Sequence, residues 1–176
     1  FCLYNAYKDK LKMIKTNIIE VNMDKNERFW IGTTRFTNYT YEENRDWRER
    51  FKWKGCIYGL NKKMPLTVPH LGLVFVLEMN NDQNKIMGIG LIRNYINPKY
   101  KMCIYTSDTN YNRYIYNSAF RKDRKEINEK FLEALELILF KGYGHYKRGQ
   151  GITVIPWKRF GNSGKGLYNL FHNLFN

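Results

Sequence analysis

The chain has 176 residues, with 30 Lys+Arg against 16 Asp+Glu and a formal net charge of +14. One domain of that length buries a genuine core without disulfide or metal staples, and 43% hydrophobic with 16% aromatic residues excludes a disordered chain. No apolar run approaches the ~20 residues of a membrane-spanning helix, which leaves a soluble globular protein whose excess positive charge attracts polyanions, nucleic acid foremost.

Residues 1–26 mix Lys, Asn and scattered apolar residues without periodicity and read as an N-terminal arm before a single domain over 27–176. Arg28 to Thr33 is aromatic and β-branched, a first strand. Thr40 with Glu43 has capping-box spacing, and Trp47 and Phe51 lie four apart, so a helix is expected from about Tyr41 to Phe51. Gly55 to Gly59 is a short strand or strand-like turn. Leu71–Met79 and Lys85–Arg93 make a hairpin around an Asn/Asp-rich turn, with Gly88 and Gly90 marking a bend or a close backbone approach. Lys101–Thr106 and Arg113–Tyr116 are two more short strands.

The basic run Arg121 to Lys125 reads as the solvated start of a helix on which Ile127, Phe131, Leu132, Leu135, Ile138 and Leu139 share one face, stopped by Gly142. Ile152–Ile155 is a late strand closed by Pro156. Leu167, Leu170, Phe171, Leu174 and Phe175 make a terminal amphipathic helix.

Cys2, Cys56 and Cys103 are odd in number and far apart, which reads as reduced core thiols of an intracellular, cytoplasmic protein. His70, His145 and His172 are isolated, the paired glycines lack phosphate-loop spacing, and the carboxylates cluster on helices. No catalytic residue, metal ligand or cofactor site is therefore assigned. Runs such as Asn80 to Lys85 show the Lys/Asn/Ile/Tyr bias of an AT-rich genome, such as that of a large DNA virus or a parasitic protist.

Basic and aromatic residues interleave in Tyr143 to Gly151 and again in Pro156 to Phe160. Lys147, Arg148, Lys158 and Arg159 are candidate phosphate contacts, and Trp157 is a candidate stacking plate for an unpaired base. The alternative is a solvated loop with Trp157 plugging the end of the fold.

The order of Arg28-Phe29-Trp30-Ile31, a helix, Trp53-Lys54-Gly55-Cys56-Ile57-Tyr58, Leu73-Val74-Phe75-Val76 and Ile86-Met87-Gly88-Ile89-Gly90 resembles the PUA-like superfamily over residues 28–116, particularly its EVE and YTH branches. The resemblance implies an α+β fold built on a small mixed β-barrel with flanking helices and a C-terminal amphipathic helix. It also implies a non-catalytic reader that takes one base of single-stranded RNA or DNA, plain or methylated, into an aromatic pocket. Trp53, Tyr58 and Trp30 would be pocket walls and Asn61 a polar reader. YTH domains have a tryptophan where Ile57 stands, so a complete methyl-adenine cage is not expected. The rival readings are a nucleic-acid-processing enzyme and a viral assembly factor with a basic surface.

Overall fold

The computed structural model describes residues 27–96 and 101–175; the arm expected over 1–26, and Cys2 within it, lie outside them. Strand β1, Phe29–Phe36, runs into helix α1, Asn38–Arg50, and then into β2, Cys56–Leu60. A hairpin follows, β3 at Leu73–Asn80 and β4 at Lys85–Arg93, and after it β5 at Tyr114–Ser118 and β6 at Phe120–Asp123. Helix α2 is Glu129–Phe140, β7 is Thr153–Val154, and helix α3 is Gly164–Asn173.

The fold is α+β, with a five-stranded mixed sheet in the order β6-β4-β3-β1-β7 and a separate two-stranded ribbon of β2 and β5. β1 and β3 are parallel, pairing Phe29 with Leu73 through Phe36 with Asn80, and β3 is buried along its whole length. A strand covered on both faces needs a continuous apolar run, which Leu73 to Leu77 supplies. One face of the sheet packs on the ribbon and α1 through Tyr58, Val74, Val76, Trp47 and their neighbours. The other packs on α2 and α3 through Phe29, Phe75, Leu132, Leu135 and Phe171.

The expected closed barrel is not formed. Among the described residues β2 pairs only with β5, and the place beside β1 that would have to accept it is held by β7, where Gly32 faces Val154. No ladder joins the ribbon to the large sheet among the described residues. The two layers meet through side chains instead of through main-chain hydrogen bonds.

Several local expectations also shift. Helix α1 starts before Tyr41 because Thr37 is its N-cap, in a capping box with Thr40, and Glu43 is thereby released for a tertiary contact. Residues 101–106 form no strand: the amides of Ile104 and Tyr105 both donate to Asn112 Oδ1, at 2.8 and 3.0 Å, in place of a ladder. The basic run is not a helix start. Arg121 and Lys122 lie on β6, paired with Gly90 and Ile89 of β4, and α2 begins only after its N-cap Asn128. On α3 the buried face holds Phe171, with Leu167, Leu174 and Phe175 packed around it, while Leu170 is half exposed. Cys103 is exposed, so among the described residues only Cys56 is a core thiol.

The register explains the two glycines of β4. Leu77 pairs with Ile89 but Met79 pairs with Ile86, so β4 carries one extra residue there. That bulge keeps Ile86 and Ile89, an odd number of positions apart, in the same core. On the opposite face it leaves room for a buried polar cluster. Arg121 donates to Glu78 at 2.9, 3.2 and 2.7 Å, and the Tyr58 hydroxyl donates to Glu78 Oε1 at 2.9 Å. A Cβ on Gly88 would fall 2.6 Å from Arg121 Nη2, and one on Gly90 would fall 2.1 Å from the Tyr58 oxygen.

Candidate functional site

A cleft of about 220 Å3 opens where β1 ends and α1 begins. It is lined by Thr34, Arg35 and Phe36 of β1, by Thr37 and Thr40 at the start of α1, and by Gly59 and Leu60 of β2. Tyr105, Ser107 and Tyr111 close one side; Asn81 and the loop from Lys147 to Gly151 close the other. Sheet parity places Arg35 there. It shares the β1 face that carries Phe29, Ile31 and Thr33 into the α2/α3 core, but it lies at the strand end, beyond the reach of the helices, under the basic loop.

Arg35 makes four kinds of contact, all with neutral acceptors: Gly151 O at 2.7 Å, Thr153 Oγ1 at 2.9 Å, Thr33 Oγ1 at 3.2 Å and Tyr146 O at 3.3 Å. No carboxylate pairs with it among the described residues. Burial pushes its guanidinium below the ordinary value, with the Tyr111 phenol acting in the opposite sense. A half-buried cation without a counter-charge carries a desolvation cost that an anion in the cleft would offset. Gly149 and Gly151 let the loop lie against it: both have positive φ, 129° and 69°, and a Cβ on Gly149 would come within 3.3 Å of Arg35 Nη2.

The aromatic wall is held from behind. Tyr105 is buried, its hydroxyl accepts from Asn44 Nδ2 at 3.2 Å, and its ring meets the half-buried Tyr111 edge-on at 6.2 Å. Next to Tyr105, the backbone amides and hydroxyls of both Thr106 and Ser107 donate to the single carboxylate of Glu43. Partial burial disfavours ionisation of Glu43, but the hydrogen bonds from Ser107 and Thr106 outweigh it and hold the carboxyl below its usual range.

The pocket residues expected from sequence are not gathered in this cleft. Trp53 is buried, donates Nε1 to Cys56 O at 3.1 Å, and borders a shallow groove with Arg48, Lys52 and Lys54 beyond the other end of α1. Tyr58 lies fully buried in the Glu78 cluster. Trp30 is half-buried near the opposite end of β1, under the Arg28 guanidinium at 5.1 Å. Asn61 follows Leu60, and its Oδ1 is buried without a hydrogen-bond partner among the described residues. Trp157 packs edge-on against Phe29 and Phe160, both at 5.6 Å.

Of the phosphate candidates, Lys147 lines the cleft and Arg148 is exposed beside it. Lys158 is exposed, and Arg159 donates to Gly144 O at 2.8 Å while lying 5.7 Å over the Tyr146 ring. Sequence reasoning missed Arg35, Tyr105 and Tyr111. Arg35 alone left a signal, the one charged residue of β1, at the same strand parity as Phe29 and Ile31.

Cys56 sits beside Tyr58, and burial foremost, then the Glu78 charge, pushes its thiol up to about 12. That thiol is no nucleophile at neutral pH. Among the described residues no three His, Cys, Asp or Glu side chains converge to hold a metal ion, and no helix is long and apolar enough to cross a membrane. Compared with known protein families, with curated proteins and with solved structures, the chain matches none. The likeness to the PUA-like superfamily is carried by the quoted motifs alone.

Proposed function

We propose that the protein is a non-catalytic nucleic-acid-binding domain that seats a nucleotide of single-stranded RNA or DNA in the Arg35 cleft. The observation that carries this reading is the half-buried guanidinium with only neutral partners, facing a cavity that also holds tyrosine rings and Lys147. A nucleotide supplies what that combination lacks: a phosphate for the cation, and a flat ring that gains ~1–3 kcal/mol by stacking on an aromatic side chain. The net charge of +14 would draw the polyanion toward the domain. The likeness of residues 28–116 to the EVE and YTH readers points to the same class of ligand, with the base-contacting residues moved from Trp53 and Tyr58 to Tyr105 and Tyr111.

The test is fluorescence anisotropy with short single-stranded RNA and DNA, plain and methylated, on the wild type, Arg35→Gln and Lys147→Gln, with circular dichroism to confirm folding. Arg35→Gln should weaken binding by at least about tenfold, the low end for a hydrogen bond to a charged group. Undiminished affinity in folded Arg35→Gln would sink the assignment. Cleavage of the same strands that depends on a divalent ion would replace it with nucleic-acid processing.

A further inference from the structure

Beyond Glu136 the sequence contains no Asp or Glu, whereas Lys141, Lys147, Arg148, Lys158, Arg159 and Lys165 are all positive. This acid-free tract leaves the C-terminal end of α2 and forms the loop over 141–151 that ends in the cleft. The loop is braced from beneath. Arg159 holds Gly144 O, Arg35 holds Tyr146 O and Gly151 O, and Asn81 Nδ2 donates to Lys147 O at 2.9 Å. The Tyr146 amide is also tied, to Leu139 O at 2.7 Å.

On this braced loop Tyr143 is wholly exposed, at 107% of its reference area, and it makes no ring contact or hydrogen bond among the described residues. A tyrosine standing in water is unremarkable by itself. Set on a fixed, acid-free loop that runs into an anion-seeking cleft, it has the composition of a single-strand track: cations for the phosphates, and a π-face that accepts any base.

We infer that the loop over 141–151 is the second contact of a single-stranded polynucleotide, with phosphates passing Lys147 and Arg148 and a neighbouring base stacked on Tyr143. This assignment rests on the cleft reading for the point where the strand is anchored. An acidic protein would satisfy the same cations but would leave Tyr143 without a role, and the tyrosine therefore favours nucleic acid.

The experiment uses the intact chain with a dinucleotide and a decamer of the same sequence over a salt series, and polyglutamate of matched charge as competitor. Tyr143→Ala, which removes no contact of the fold, should weaken the decamer by about tenfold and leave the dinucleotide unchanged, and Tyr143→Phe should restore wild-type affinity. The double variant Lys147→Gln, Arg148→Gln should flatten the slope of log K against log salt by about 1.4, or 0.7 for each lost phosphate contact on a single strand. Equal decamer affinity for wild type and Tyr143→Ala, or polyglutamate competing as well as the decamer, overturns the track. Arg35→Gln separates the two readings. If it spares both ligands the cleft fails whatever Tyr143 does; if it weakens both while Tyr143→Ala spares the decamer, only the track fails.

Discussion

The Glu78 and Arg121 side chains, 3% and 5% exposed, form an ion pair in the layer between the large sheet and the ribbon. Glu78→Gln removes the charge while keeping the length and an acceptor for the Tyr58 hydroxyl. Arg121 then loses its counter-charge and keeps neutral or partly exposed partners, the amide oxygen at position 78, the Tyr41 hydroxyl at 3.5 Å and Asp123 Oδ2 at 3.3 Å. Breaking a buried pair by removing one member costs about 3–5 kcal/mol. Asp123 is 39% exposed and compensates in part, which places the loss near the lower end, about 3 kcal/mol. In a chain of this size that is a fall in Tm of roughly 6–12 °C. Urea denaturation followed by tryptophan fluorescence measures it as a shift in midpoint at constant slope. Adding Arg121→Met to Glu78→Gln should recover stability, since no charge then remains in the core. A single-variant loss under about 1 kcal/mol, or a double variant no more stable than the single, would refute a desolvated pair and put these groups in contact with water.

Gly90→Ala should cost about 3 kcal/mol, the upper end for overpacking, because the new Cβ would stand 2.1 Å from the Tyr58 oxygen and 2.8 Å from Cys56 Sγ, both fully buried; an unchanged urea midpoint would contradict the close approach. The Glu43 clamp should fail in acid. Its folded-state pKa is lowered, so its contribution is fully present above the ordinary carboxylate value and is lost as pH falls through the lowered one. Amide protection at Thr106 and Ser107 should therefore drop below about pH 4, and Glu43→Gln should show weakened protection with no such transition. Equal protection factors in acid and at neutral pH would show that the loop is held by something else.

Local sequence was sufficient where an element's own pattern announced its environment. The β3/β4 hairpin, helix α2 and helix α3 fall near their expected places because apolar periodicity and the Asn/Asp-rich turn are short-range signals. Leu170 departs from the expected stripe because the α3 face that meets Phe75 and Phe131 is centred on Phe171. Charge was the poorer guide. Arg121 belongs to a run that reads as solvated, yet its partner Glu78 lies 43 positions away, a pairing that exists only once β6 docks on β4. Thr40 with Glu43 has capping spacing, but Thr37 takes the cap, and Glu43 serves a loop more than sixty positions downstream.

Composition and periodicity follow directly from the residues, and they were enough to define a basic α+β protein with the apolar and aromatic content for a layered core. That the sheet stays open depends on long-range packing, since β7, two residues long and far along the chain, takes the place beside β1. The candidate site was decided in the same way. Arg35, Tyr105, Tyr111 and Lys147 come from separate stretches and have no motif in common; strand parity, the Glu43 clamp and the loop braced by Arg159 and Asn81 bring them to one cleft. Side chains that converge through long-range packing leave almost no trace in the order of the residues, and for that reason Trp53 and Tyr58, conspicuous in the sequence, are found holding the core.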